Sequence, residues 1–149
     1  MGTDNDLVKL YSGRILALAA DIPHTDRLTD PMAAVRRRSP LCGSTVTVDV
    51  TVADGKISAF GQDVKACALG QASAAVLGQV VVGLTQCDVR RGRDQLHAML
   101  KTGGGVPDAP FDGLEVLEPA VNFKNRHASI LLAFDATLEA LEQIASDDR

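Results

Sequence analysis

The sequence predicts an α+β domain, a small antiparallel sheet of about three strands packed with helices. Three observations point there. The stretch "STVTVDVTV" at 44–52 alternates valine with polar residues at the period of two that marks a strand with one face in the core. Apolar residues recur at helical spacing on both sides of it, and the order helix, strands, helices differs from the strict alternation of a parallel α/β sheet. A chain of 149 residues with 46% hydrophobic content has the material for one core, so we expect a single domain over 1–149.

From about 4 to 21 the pattern is that of an amphipathic helix, with Leu7, Leu10, Tyr11, Ile15 and Leu18 along one side and Pro23 closing it. An irregular segment, 24–33, follows between Pro23 and Pro31, and a short strand over 34–39 supplies the third strand that a stable sheet needs. In 44–52, Val46, Val48, Val50 and Val52 face the core, and Thr45, Thr47, Asp49 and Thr51 face water. Asp54-Gly55 is a hairpin turn signal, because glycine accepts the positive φ the turn requires, and "KISAFGQDV" is the return strand. Helices are expected over 68–84 and 88–101, the second with Leu96, Met99 and Leu100 on its apolar side. Gly103, Gly104 and Gly105 with Pro107 and Pro110 end it; no Gly-Lys-Ser/Thr follows, so the glycines form a loop and no phosphate cradle. A short helix over 114–121 and a last one over 128–145, with Ile130, Leu131, Phe134, Leu138 and Leu141 in phase, complete the chain.

Charge and composition exclude several functions. The formal net charge is −4, aromatic residues are 3% and tryptophan is absent, so neither an electrostatic reason nor a stacking platform favours nucleic acid. Residues 66–87 contain no charged side chain, which raises the question of a membrane span. Gln71, Gln79, Gln86, Ser73, Thr85, three glycines and many alanines make the stretch too weakly hydrophobic, and a helix buried against several neighbours accounts for it. The N-terminal stretch lacks the basic start and continuous apolar run of a secretory signal, so a cytoplasmic protein with thiols kept reduced is expected.

Cys42 and Cys67 flank the hairpin, and antiparallel pairing returns the chain to the place it left, bringing the two thiols near one another. Cys67 also precedes a helix, where unpaired N–H groups and the helix dipole favour a thiolate. Burial as small hydrophobes is the alternative for both, since no Cys-x-x-Cys or His-x-x-x-His accompanies them. Cys87 falls at a helix-to-helix junction and is read as packing; His24 and His97 have no potential ligand close by in sequence. Arg36, Arg37 and Arg38 suit a solvated face or docking to an acidic partner. His127 and Ser129 lie at the start of the last helix, where Ser129 could serve as a cap.

Three segments, "PLCGSTVTVDVTVADGKISAF", "DVKACALGQASAA" and "LEVLEPAVNFKNRHASILLAFDATLEAL", resemble in order and interval the NifU-like family of iron–sulfur cluster assembly scaffolds, which includes the IscU and SufU types. The resemblance covers most of the chain and implies a SufE/NifU-like fold. It implies a site at one end of the domain where three cysteines and an aspartate hold zinc or a nascent iron–sulfur cluster, or receive sulfur from a cysteine desulfurase. Carried over, the first two cysteines are Cys42 and Cys67, the sulfur-accepting thiols. The aspartate falls on Ser44 and the third cysteine on Ser129, and serine is a far poorer ligand than thiolate or carboxylate. His127 is the expected compensation, giving a metal set of Cys42, Cys67 and His127, since imidazole binds zinc and iron well. Arg126 is expected to balance the negative charge of a thiolate-bound cluster.

The resemblance thus implies a non-enzymatic scaffold with a transient iron–sulfur cluster. A cysteine desulfurase would be its sulfur donor and apoproteins its recipients, with no nucleic-acid or membrane partner. A zinc-dependent sulfurtransferase, with sulfur-acceptor activity at the same thiols, and a metal-free interaction protein are the alternatives.

Overall fold

The computed structural model describes residues 12–40 and 43–147. The described elements run α1 (Gly13–Ala20), β1 (Ala33–Arg38), β2 (Thr45–Ala53), β3 (Lys56–Lys65), α2 (Ala68–Val80), α3 (Gln86–Thr102), two 3-10 segments (Asp112–Asn122 and Lys124–Arg126) and α4 (His127–Asp147). The architecture is the α+β one, a three-stranded antiparallel sheet in the order β1-β2-β3 with helices packed on it.

Alternation builds the sheet. Arg38 pairs with Thr45 and Thr45 with Lys65, and the register holds through Ala33↔Val50 and Thr51↔Ala59, with an irregularity at Thr51/Val52 next to the hairpin turn. Val35, Val46, Val48, Val50 and Phe60 therefore face one side, all buried, where α4 lies across β1 and β2. The opposite face differs from expectation at Asp49, which is fully buried. The segment after α1 crosses the sheet there: Arg27 donates to both carboxylate oxygens of Asp49, at 2.5 and 2.9 Å, and the Leu28 N–H donates to the same group at 3.0 Å. A buried carboxylate needs such partners, and the irregular 24–33 segment supplies them. The same segment satisfies the outer edge of β3, where the Gln62 N–H donates to the His24 carbonyl at 2.7 Å.

Helix boundaries shift for local reasons. The first helix was expected from about residue 4, of which 4–11 lie outside the described residues; Ser12, with extended backbone and a hydroxyl accepting from Ile15 N–H, caps the start of α1. α2 stops at Val80 rather than at 84 because the chain turns back to β3: Ile57 N–H donates to Leu84 O at 2.9 Å and Gly83 N–H to Ile57 O at 2.7 Å. Thr85 and Asp88 form a reciprocal capping box that starts α3 two residues early and places Cys87 in its first turn. Cys87 is exposed, so the packing role read from the sequence does not hold for it. The expected helix over 114–121 is a 3-10 run containing Pro119, a residue without the N–H that an α-helix interior needs.

The uncharged stretch is explained by α2. Leu69, Gly70, Ala72 through Gly78 are all buried, because α1 packs on one side of this helix and α4 on another. No helix among the described residues is long and apolar enough to cross a membrane.

Candidate functional site

The site lies at the end of the sheet where β1 leaves, β2 enters and β3 ends. Between β1 and β2 the chain closes a tight loop: Ser39 N–H donates to Ser44 O at 2.8 Å and Gly43 N–H to Ser39 O at 2.9 Å. Gly43 takes φ +69°, which a residue without Cβ adopts freely. Cys42, expected here as the first ligand and sulfur-accepting thiol, lies outside the described residues. Ser44 follows one residue after Gly43, and the pairing Thr45↔Lys65 sets Ser44 opposite the chain that leads from β3 into Cys67.

Cys67 is the N-cap of α2, with extended backbone and no hydrogen bond from its side chain to the helix, so the thiol is left for other contacts. It is half-buried. Its Sγ lies 3.6 Å from Ser129 Oγ, and Ser129 Oγ lies 3.0 Å from Ser44 Oγ. One thiol and two hydroxyls from three separate elements thus form a chain of contacts, with both serines nearly fully buried. Ser129 is in the first turn of α4 and its hydroxyl is spent on these contacts.

Close helix packing makes the arrangement possible. Gly70, one turn into α2, sits against the start of α4: a Cβ there would lie 2.7 Å from Ser129 Oγ and 3.1 Å from Ser129 O. One turn further on, Ser73 donates to the Ile130 carbonyl at 2.7 Å, a buried hydrogen bond that ties the same two helices together. The small residues of "ALGQASAA" therefore set the distance at which Ser129 meets Cys67.

His127 goes elsewhere. It opens α4 two residues before Ser129, and residues two apart on an α-helix face about 200° apart. Its ring is buried, with Nε2 donating to the Ala120 carbonyl at 2.8 Å and Nδ1 buried without a hydrogen-bond partner among the described residues. Burial pushes its pKa below the ordinary histidine value; Lys101 and His97 add to that, against the hydrogen bonds to the Ala120 and Val121 backbone. The neutral ring braces the 3-10 segment against α4, and the ligand role expected from its nearness to Ser129 in sequence fails on helical phase. Arg126 lies in the 3-10 turn just before α4, half-buried. Among the described residues, no group of three or more His, Cys, Asp or Glu side chains is placed to hold a metal ion.

No family model matches the chain, and no curated protein matches it. Solved structures do. The nitrogen-fixing NifU-like protein (N-terminal) from Brucella abortus is 40% identical, with a TM-score of 0.92 over 95% of this chain and 98% of that one. The chain belongs to the NifU-like family. A protein assigned as an iron–sulfur cluster assembly scaffold for the SUF system, from Fervidobacterium islandicum AW-1, shares the fold at 19% identity. Its TM-score is 0.79, over 90% of this chain and 98% of that one. A hypothetical protein shares the fold at 21% identity and a TM-score of 0.77, over 91% and 98% of the two chains. As a NifU-like protein, the chain carries at its sheet end a thiol, Cys67, in contact with the Ser129 hydroxyl, which in turn meets the hydroxyl of Ser44.

Proposed function

We propose that this NifU-like protein is an iron–sulfur cluster assembly scaffold that receives sulfur and iron at the sheet end and passes the cluster to recipient apoproteins. The observation that carries the reading is the convergence of Cys67, Ser129 and Ser44, drawn from α2, α4 and the β1–β2 loop. Family membership supports it, and so does the scaffold assignment of the Fervidobacterium protein of the same fold.

In this reading Cys67 is the principal thiolate, and Cys42, in the loop closed by Ser39 and Ser44, is its partner. A cysteine desulfurase is the sulfur donor. The Ser129 hydroxyl is placed to hydrogen-bond to the Cys67 sulfur, and Ser44 holds that hydroxyl in position. Hydroxyls are weak metal ligands, so the cluster is held mainly through cysteine sulfur and leaves readily, as cargo must. A resident zinc ion fits this donor set less well: zinc takes thiolate, imidazole and carboxylate ligands, and at the described part of the site only Cys67 is of that kind.

Anaerobic reconstitution with iron and sulfide tests the reading. The wild type should develop the visible absorbance of a thiolate-bound cluster and Cys67→Ala should not. Zinc that survives dialysis, with no coloured cluster formed, would instead make the protein a sulfurtransferase.

A further inference from the structure

We infer that the exposed sheet face beside Cys67 docks a protein segment rich in carboxylates, through Arg36, Arg38 and Lys65. The register places these side chains. Arg38 pairs with Thr45 and Thr45 with Lys65, so all three residues point to one side of the sheet, and Arg36 lies two residues before Arg38 on that side. It is the side away from the core, because the intervening positions, Val46 and its partner Arg37, face α4, where Arg37 pairs with Glu139 at 2.6 Å. Arg36, Arg38 and Lys65 are exposed, and no ion pair holds them among the described residues.

Their place and spacing decide what they fit. Strands about 4.8 Å apart put Arg38 and Lys65 roughly 10 Å from one another, and Arg36 is about 7 Å along the strand from Arg38. With a Debye length of about 8 Å at physiological salt, the three charges act on a ligand together. Lys65 is two residues from Cys67, and Thr45 follows Ser44, so the cationic row borders the thiol site. Asp63, the carboxylate opposite Thr47, lies on this face too; the hydrogen bond and charge of Asp49 raise the pKa of Arg27, and Asp63 adds a smaller share.

In a chain of net charge −4, three cations that no ion pair holds among the described residues, set against the one carboxylate of Asp63, leave a net positive field at this end, opposite in sign to the whole. An extended acidic segment laid along this face would bring a partner's own sulfur or iron-accepting group to Cys67. The inference deepens the scaffold reading by naming the chemistry of the partner's contact surface. The two are separable, because docking is measured without iron or sulfide.

The test uses the full chain with Cys42→Ser and Cys87→Ser, so that Cys67 is its one thiol, and two peptides activated as pyridyl disulfides, cysteinyl-hexaglutamate and cysteinyl-hexaglutamine. The Cys67 thiolate attacks the peptide's sulfur, a mixed disulfide forms, and pyridine thione leaves and is counted by absorbance. At low salt the acidic peptide should react about tenfold faster than the neutral one, and the ratio should fall toward one as salt rises. In Arg36→Glu/Arg38→Glu the ratio should drop to one or below while the rate with the hexaglutamine peptide stays the same. Anisotropy of fluorescein-labelled hexaglutamate reads binding without the thiol and should lose its salt-dependent signal in the same variant. Equal rates for the two peptides, or hexaglutamate binding unchanged by the double substitution, would overturn the inference. So would tighter binding, through the same arginines, of a single-stranded oligonucleotide or of vesicles containing phosphatidylserine.

Discussion

Replacing Gly70 by alanine sets two effects of known size against each other. Alanine has the better helix propensity, by about 0.8–1.0 kcal/mol in a helix interior. Against that, the new methyl group would lie 2.7 Å from Ser129 Oγ, 2.9 Å from Ala66 Cβ and 3.1 Å from Ser129 O, all under ordinary contact distance. Ser129 Oγ cannot swing away freely, because it is held by Ser44 Oγ at 3.0 Å, and its carbonyl is backbone, so α4 itself must shift. Overpacking costs about 1–3 kcal/mol, and with backbone in the way the upper part of that range, about 2–3, applies here; less the propensity gain, the net loss is about 1–2 kcal/mol. For a chain of this size that lowers the melting temperature by about 2–8 °C. Thermal unfolding by circular dichroism gives the number. Gly13→Ala is the control, since among the described residues nothing lies within 4 Å of a Cβ there and stability should hold or rise. If Gly70→Ala were as stable as the wild type, the close approach of α2 and α4 that sets the Cys67–Ser129 distance would be wrong.

Further outcomes follow from the same structure. His127 has its pKa depressed by burial, so the unfolded chain takes up its proton at a higher pH than the folded one; stability should fall as pH drops below about 6.5, the ordinary histidine value, and His127→Leu should flatten that dependence in melts from about pH 7.5 to 5. Ser73→Ala removes the buried hydrogen bond to Ile130 O and leaves that carbonyl without it, a loss of about 1 kcal/mol readable by urea unfolding. Cys87 is exposed and Cys67 half-buried, so under limiting iodoacetamide peptide mapping should find Cys87 alkylated before Cys67. Ser129→Cys puts a second thiol where the hydroxyl now meets Cys67 and should raise the iron retained per chain after anaerobic reconstitution and desalting.

Much of this was legible in the sequence because it rests on short-range pattern. The valines of 44–52, the Asp54-Gly55 turn and the apolar phase of the last helix each imply their own element, and antiparallel return alone says that Cys67 comes back to the β1–β2 connection. What could not be read depended on contacts between distant segments. Asp49 looked like a solvent-facing residue because nothing local shows that Arg27, twenty-two residues earlier, covers it. Cys87 looked buried because the capping box that turns it outward was read as a junction. His127 looked like a ligand because nearness in sequence to Ser129 suggests nearness in space, and a helix reverses that for residues two apart. One signal for His127 was present in the chain: helical phase counted from Ser129, which sends it toward the 3-10 segment.

The central claim is that iron and sulfur are held at the sheet end through Cys67. It is tested most directly by iron and acid-labile sulfide retained per chain after anaerobic desalting, measured side by side on the wild type, Cys67→Ala and the folding control Gly13→Ala. The account predicts that the wild type and Gly13→Ala retain both elements alike and that Cys67→Ala retains neither. Equal retention by Cys67→Ala, with its melting temperature unchanged, would contradict it.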